Sequence, residues 1–136
     1  MSGSEWLVEA HGCRPGDLAD LARLERMFVE LVAALDLHPV REAVWHRFPG
    51  SGGVTGFSVL AESHLACHTF PEYGSLCLNV FCCRRRPEWD FAGYFVREFG
   101  ASSVRVRRVE RPYQEADEPE SSQLPELRRA GSVSLV

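Results

Sequence analysis

The sequence lacks any apolar run near the roughly 20 residues that a helix needs to cross a bilayer. Its first residues have neither the basic start nor the apolar stretch of a secretory signal. A net charge of -4 argues against a general nucleic-acid-binding protein, which normally carries a basic face. We therefore expect a cytoplasmic protein with no membrane and no nucleic acid among its partners.

Cysteine usage argues against a fold held together by disulfides. The five cysteines are an odd number, are not spaced as a disulfide framework and include no Cys-x-x-Cys pair. We expect free thiols, most of which serve as small core residues. The Gly-x-Ser-x-Gly motif of many serine hydrolases is absent as well.

The apolar pattern predicts one α+β domain over residues 1–113. A stripe that includes Leu24, Phe28 and Leu31 indicates a helix over residues 17–37, with Asp17 as its N-cap. A second helix is expected at 87–99. Strands are expected at 5–11, 40–48, 54–60, 65–70, 75–83 and 102–110. This order predicts two layers, a largely antiparallel sheet with helices on one face.

The strand expected at 75–83 indicates what each face of the sheet meets. Its apolar residues Leu76, Leu78, Val80 and Cys82 share one face, which suits packing under helices. The opposite face mixes polar and apolar side chains, and a single helical layer leaves it bare. Either that face is solvated, or it meets the sheet of a partner.

The composition changes after residue 113. Residues 114–136 contain five acidic side chains and two arginines, interspersed with proline and serine. Few apolar or aromatic residues are present to anchor this segment on a core. We expect an acidic, disordered tail.

The densest run of reactive side chains lies at residues 62–69, and Cys82 and Cys83 follow on the next strand. A buried strand with hydrogen-bonded structural groups is one interpretation. A metal site formed from His64, Cys67, His68, Cys82 and Cys83 is a second, but adjacent strand residues point to opposite faces, so no metal is expected. Nucleophilic chemistry at Ser63 is the third interpretation.

The motifs closely resemble the prokaryotic S-adenosylmethionine decarboxylase proenzymes. The resemblance is carried by the runs Gly53-Val54-Thr55-Gly56, Glu62-Ser63-His64-Leu65 and His68-Thr69-Phe70-Pro71-Glu72-Tyr73-Gly74. The early His11-Gly12-Cys13 and the later Phe81-x-Cys83 fit the same template. The similarity spans roughly residues 5–112.

The resemblance implies a chain that cleaves itself between Glu62 and Ser63. The Ser63 hydroxyl would attack the carbonyl of Glu62, and Thr55 and His68 would assist the proton transfers. Elimination would then leave a β chain of residues 1–62 and an α chain from 63. The α chain would begin with a pyruvoyl group made from Ser63, the cofactor of the enzyme.

The resemblance also implies the roles of residues in turnover. The substrate amine would form a Schiff base with the pyruvoyl group, and after loss of carbon dioxide Cys83 would donate the proton. Phe48, Phe70 and Glu72 are candidates for substrate binding. Members of the family suggest a homodimer in which two sheets stack face to face, which suits the bare sheet face.

Departures from the usual pattern leave the substrate open. Asn79 stands where the family commonly has an aspartate, and Arg84, Arg85 and Arg86 follow Cys83, a run typical of a solvated turn. S-Adenosylmethionine is the first expectation, as the source of the aminopropyl donor in polyamine biosynthesis. The alternatives are L-ornithine or L-arginine as the substrate, or an unprocessed, non-catalytic binding homologue.

Overall fold

The computed structural model describes residues 1–115, so residues 116–136 of the expected acidic tail lie outside the described residues. A six-stranded antiparallel sheet has the order β2-β3-β4-β5-β1-β6. Its strands are β1 Ser2–His11, β2 Val44–Arg47, β3 Val54–Leu60, β4 Ser63–Phe70, β5 Ser75–Cys82 and β6 Ser103–Pro112. The helices are α1 Pro15–Leu18, α2 Leu21–Ala34 and α3 Phe91–Phe99, and a 3-10 turn spans Pro71–Tyr73.

The helices cover one face of the sheet, as the apolar pattern predicts. Alternate residues of the central strands, such as Trp6, Leu65, Leu78 and Val80, are buried in this layer. The helices bury the complementary residues Leu24, Met27, Phe28, Leu31, Phe91, Tyr94, Phe95 and Phe99. The α+β prediction of a largely antiparallel sheet with helices on one face is confirmed.

The first helix differs from the prediction. Two helices replace the single helix expected over 17–37, and Asp17 lies inside α1 instead of capping a helix. The side chain of Asp20 accepts a hydrogen bond from the backbone N–H of Arg23 and is the N-cap of α2. Pro15 at the start of α1 explains the early short helix, because proline is favoured in the first turn.

Two further boundaries were predicted too early. The expected strand 40–48 is reduced to β2, because bends at Val40 and Arg41 separate β2 from the isolated bridge of Pro39 with Leu60. The expected helix 87–99 begins at Phe91, where the side chain of Asp90 accepts a hydrogen bond from Gly93. Gly100, with a φ of +68°, ends α3 as expected.

The hairpin of β3 and β4 is tighter than predicted. Ser63 and His64, which the sequence places in a loop, already belong to β4, and Ser63 pairs with Leu60. Only Ala61 and Glu62 remain in the turn. The bond between Glu62 and Ser63 therefore lies where a two-residue turn meets a strand.

The second face of the sheet carries half-buried and exposed side chains. Phe57 and Val59 of β3 are exposed there, next to the polar residues of β4 and β5. We call this surface, formed by the residues that alternate with the buried set, the open face. No helix among residues 1–115 is long and apolar enough to cross a membrane.

Candidate active site

The turn between β3 and β4 places Ser63 opposite Cys82, the residue that precedes Cys83. Ser63 pairs with Cys82 across the β4–β5 ladder, so the chain leaving β5 passes the turn. The backbone N–H of Cys83 donates a hydrogen bond to the carbonyl oxygen of Glu62 at 2.9 Å. This contact polarises the carbonyl at which the sequence motif predicts cleavage.

Gly3 allows β1 to lie close to the end of β5. A Cβ on Gly3 would lie 2.6 Å from the carbonyl oxygen of Cys82 and 3.2 Å from Cα of Cys83. A side chain at position 3 would therefore push against the backbone that holds Cys83. The half-buried Cys83 also accepts a weak hydrogen bond at its carbonyl from the hydroxyl of Tyr113.

The side chain of Glu62 is only 6% exposed. Its Oε1 accepts a hydrogen bond from Nδ1 of His38 at 2.6 Å and lies 3.5 Å from a guanidinium nitrogen of Arg86. These residues, with Asp36, Cys83 and Arg84, line a cavity of about 380 Å³ beside the turn. Burial raises the pKa of the neighbouring Cys82 thiol, an effect that a hydrogen bond with Arg86 opposes.

Thr55 and His68 form a second group, away from the turn. They are opposite each other in the β3–β4 ladder, and Oγ1 of Thr55 lies 3.0 Å from Nδ1 of His68. Both residues line a cavity of about 460 Å³, together with the residues expected to bind substrate, Phe48, Phe70 and Glu72. The two phenylalanines are exposed and do not belong to the core.

The structure separates the two groups within one chain. Ser63 and His68 are five residues apart on the same extended strand, which corresponds to roughly 16 Å along β4. Their side chains cannot contact each other in this arrangement. Glu62 and Cys83 share one cavity, and Ser63 adjoins it in register with the buried residues Leu60 and Cys82. A second cavity is lined by the other candidates, Thr55, His68, Phe48, Phe70 and Glu72.

A polar network crosses the middle of the open face. The Nε2–H of His64 donates to Oδ1 of Asn79 at 2.7 Å, and Nδ2 of Asn79 donates to Oε1 of Glu5 at 2.7 Å. Glu5 also forms an ion pair with Arg111. Burial alone would raise the pKa of the Glu5 carboxyl, but the hydrogen bonds from Asn79 and Arg111 hold this pKa below its usual value.

The metal-site alternative has no geometric support in residues 1–115. No group of three or more histidine, cysteine or acidic side chains in this range could hold a metal ion. Cys67 is buried on the helix face, whereas His64 and His68 occupy the open face. Burial raises the pKa of the Cys67 thiol to about 12, so it is not a ready thiolate ligand.

The sequence did not reveal His38 or Arg86 as neighbours of Glu62. The run of three arginines was predicted to be a solvated turn, which is correct for Arg84 and Arg85 but wrong for Arg86, whose side chain is 11% exposed. His46 was missed too, although it pairs with Thr55 across β2 and β3. These neighbours depend on strand register and on contacts between distant segments, which local patterns do not give.

Comparisons with known proteins agree on one family. A family model described as S-adenosylmethionine decarboxylase matches residues 4–112. The chain is 39% identical over 118 residues to the S-adenosylmethionine decarboxylase proenzyme of Syntrophomonas wolfei, covering 85% of this chain and 91% of that protein. It is 38% identical over 111 residues to the S-adenosylmethionine decarboxylase proenzyme of Moorella thermoacetica, covering 80% of this chain and 86% of that protein.

The fold is similar to that of a solved structure. The crystal structure of the adenosylmethionine decarboxylase from Aquifex aeolicus aligns with a TM-score of 0.68 and 20% sequence identity. The alignment covers 88% of this chain and 98% of that one.

Proposed function

The chain belongs to the S-adenosylmethionine decarboxylase family, and we propose that it is a self-processing decarboxylase of S-adenosylmethionine whose pyruvoyl group forms from Ser63. As a carboxy-lyase, it makes the aminopropyl donor used in polyamine biosynthesis. The observation that supports this proposal best is the hydrogen bond from Cys83 N–H to the Glu62 carbonyl, one residue from the Ser63 hydroxyl.

Self-cleavage begins at that carbonyl. Oγ of Ser63 attacks the carbonyl carbon of Glu62, the new C–O bond replaces the C–N bond, and the hydroxyl proton passes to the freed amine. Loss of the Cα proton of Ser63 then breaks the Cβ–O bond and releases Glu62 as a carboxylate. One water adds and one ammonia leaves, which ends the β chain at residue 62 and begins the α chain at residue 63.

The residues of the turn fit a pyruvoyl group at position 63, because the backbone N–H of Cys83 donates to the carbonyl of the bond that must break and Cys83 lines the cavity beside Glu62. When formed, the group supplies a carbonyl for the substrate's amine and an electron sink for the electrons left by carbon dioxide. Sγ of Cys83 donates the proton to the former α-carbon of the substrate. A thiol carries a proton that it can donate as a general acid, which suits this role.

The domain that does this chemistry spans residues 1–113, and it works as a homodimer with the open faces of two sheets in contact. Exposed Phe57 and Val59 supply apolar surface for such an interface. Within one chain, Ser63 and His68 lie about 16 Å apart along β4. In the dimer, the partner's His68 and the partner's Thr55 would reach Ser63 instead. Nδ1 of the histidine is paired with the threonine hydroxyl, so Nε2 is the atom that moves the proton.

The same pairing brings the partner's cavity of about 460 Å³ to the turn. Phe48 and Phe70 offer aromatic faces on which an adenine can stack or a sulfonium cation can rest. Glu72 offers a carboxylate for polar groups of the substrate. Each site is then complete only when two chains are together.

The open face favours S-adenosylmethionine over L-ornithine or L-arginine. Either basic amino acid needs an acidic group for its side-chain cation. On this face the carboxylate of Glu5 is held by Asn79 and Arg111, and Glu9 forms an ion pair with Arg107. Both carboxylates are therefore already paired with arginines of β6, and Glu72 in the cavity is the remaining acidic group that such a cation could meet. The match to S-adenosylmethionine decarboxylase proenzymes further supports S-adenosylmethionine as the substrate.

The test is release of carbon dioxide from carboxyl-labelled S-adenosylmethionine, L-ornithine and L-arginine, with Ser63→Ala as the control. We expect turnover of S-adenosylmethionine and none with the control. Preferential turnover of a basic amino acid would overturn the substrate assignment. An intact chain that binds ligand without releasing carbon dioxide would overturn the enzymatic proposal in favour of a binding homologue.

A further inference from the structure

The run of three arginines after Cys83 has one member that differs from the other two. Arg84 and Arg85 are exposed, whereas the side chain of Arg86 turns inward and is 11% exposed. A buried guanidinium requires a partner of opposite charge, because its desolvation is otherwise costly. The partner is the buried carboxylate of Glu62, the residue whose carbonyl must be cleaved.

Arg86 is one part of a cluster of four charged or titratable side chains. Asp36 lies 3.7 Å from Arg86 and 3.6 Å from Nε2 of His38, while Nδ1 of His38 contacts Glu62 at 2.6 Å. Asp36 is exposed and occupies a left-handed conformation with a φ of +52°, a tight bend that follows α2. The cluster therefore links the end of α2, the β3–β4 turn and the segment after β5.

The backbone around the turn is fixed by the same two segments. The N–H of Ala61 donates to the carbonyl of His38 at 2.8 Å, and the N–H of Val40 donates to the carbonyl of Val59 at 3.0 Å. From the other side, Cys83 donates to the carbonyl of Glu62. Residue 62 is thus held at its carbonyl by Cys83 and at its side chain by His38 and Arg86.

A two-residue turn has few other constraints on the peptide that it carries. Rotation about the bonds of Glu62 would swing its carbonyl carbon away from Oγ of Ser63. A misplacement of about 1 Å can cost roughly a hundredfold in rate, because the attacking and attacked atoms must start in near contact. Holding the side chain of residue 62 therefore contributes directly to the rate of cleavage.

We propose that Arg86 and His38 are positioning residues for self-cleavage, which hold the Glu62 side chain so that its carbonyl stays within reach of Ser63. This inference rests on the proposed self-processing. Neither residue touches the reacting atoms; both act through Glu62.

The test follows the fraction of uncleaved chain with time after synthesis of the full-length protein. Arg86→Ala should slow cleavage by about tenfold or more, since a contact that orients the reacting carbonyl is lost. Arg86→Lys should recover part of the rate, because Arg86 and Glu62 meet through one nitrogen and one oxygen, which a lysine ammonium can reproduce. The matched control is Arg85→Ala, an exposed neighbour in the same run, which should cleave at the wild-type rate.

A double-mutant cycle separates positioning from general destabilisation. If Arg86 acts through Glu62, the effects of Glu62→Gln and Arg86→Ala on the rate should be clearly non-additive. Additive effects, or wild-type cleavage by Arg86→Ala, would overturn the inference. If Arg86→Ala does not fold, His38→Ala gives the same test, because the His38 side chain is 60% exposed and its loss leaves the core intact.

The two proposals fail in different ways. If the wild-type chain never cleaves, the proposed self-processing is wrong. If the wild-type chain cleaves and Arg86→Ala cleaves equally fast, only the positioning role is wrong.

Discussion

The backbone N–H of Cys83 donates a hydrogen bond of 2.9 Å to the carbonyl oxygen of Glu62. This contact places one residue in two roles that use different atoms. In the proposed function the backbone N–H acts on the peptide that is cleaved, whereas the thiol would serve the later proton transfer. The roles can therefore be separated by a substitution that changes only the side chain.

Cys83→Ala should cleave itself but decarboxylate poorly. Alanine keeps the backbone N–H that contacts Glu62, but it lacks the proton donor, and general acid catalysis contributes roughly a hundredfold or more. The measurement is kcat per processed chain, determined beside the fraction of cleaved protein. Cys77→Ala, which removes a half-buried thiol within β5, is the control and should keep its activity. Undiminished turnover by Cys83→Ala would remove Cys83 from the mechanism.

Two inactive chains should restore each other when they are produced together. A Ser63→Ala chain lacks the nucleophile and a His68→Ala chain lacks the base, so each homodimer should remain uncleaved or inactive. In the mixed dimer, Ser63 of the second chain meets an intact His68 from the first, which gives one complete site. We expect cleavage of the His68→Ala chain only in the mixture. Failure of the mixture to cleave, with mixed dimers demonstrated, would contradict a site shared between subunits.

Gly3→Ala should impair the site through the backbone of Cys82 and Cys83. The added methyl group would lie 2.6 Å from the Cys82 carbonyl oxygen, so β1 or the end of β5 must shift. Overpacking of this kind typically costs about 1–3 kcal/mol, and we expect both lower stability and slower cleavage. Gly16→Ala is the control, because a Cβ there meets no atom within 4 Å. Equal cleavage rates for the two variants would show that the approach of Gly3 to Cys82 is unimportant.

Glu5 should make the protein sensitive to acid. Its folded-state pKa lies below the ordinary value of 4.5, so its contribution to stability is fully present above pH 4.5 and is lost as the pH falls through the folded-state pKa. Urea unfolding of the wild type should therefore show a falling midpoint below pH 4.5, and Glu5→Gln should show a smaller fall. Parallel curves for the two proteins would contradict the ion pair between Glu5 and Arg111.

Most strands and the two longer helices could be predicted from the sequence, but the starts of helices that depend on side-chain caps could not. Residues 54–60 were predicted with the observed bounds of β3, because a short apolar-rich run lies between the glycine-rich loop and the turn. Which side each residue faces did not follow from polarity, since Ser58 is buried and Phe57 is exposed. Asp17 and Asp20 are both aspartates, a residue type that is favoured at the N-cap of a helix. Only the folded chain shows that Asp20 accepts the hydrogen bond of Arg23.

The site could be predicted in its members but not in its arrangement. The motif around Ser63 identifies the residues. A linear run cannot show that Ser63 and His68 lie about 16 Å apart along one extended strand. The cluster around Glu62 was missed because Asp36, His38 and Arg86 approach it from segments more than 20 residues away on either side. Such contacts depend on tertiary packing, which periodicity does not encode.

The measurement that tests the central claim most directly is the intact mass of freshly purified protein under denaturing conditions. We predict two species, a β chain of residues 1–62 and an α chain from residue 63 that is lighter by one ammonia than a chain beginning with serine. Ser63→Ala should give one full-length mass. A single full-length mass for the wild type would contradict the account, as would cleavage at any other bond.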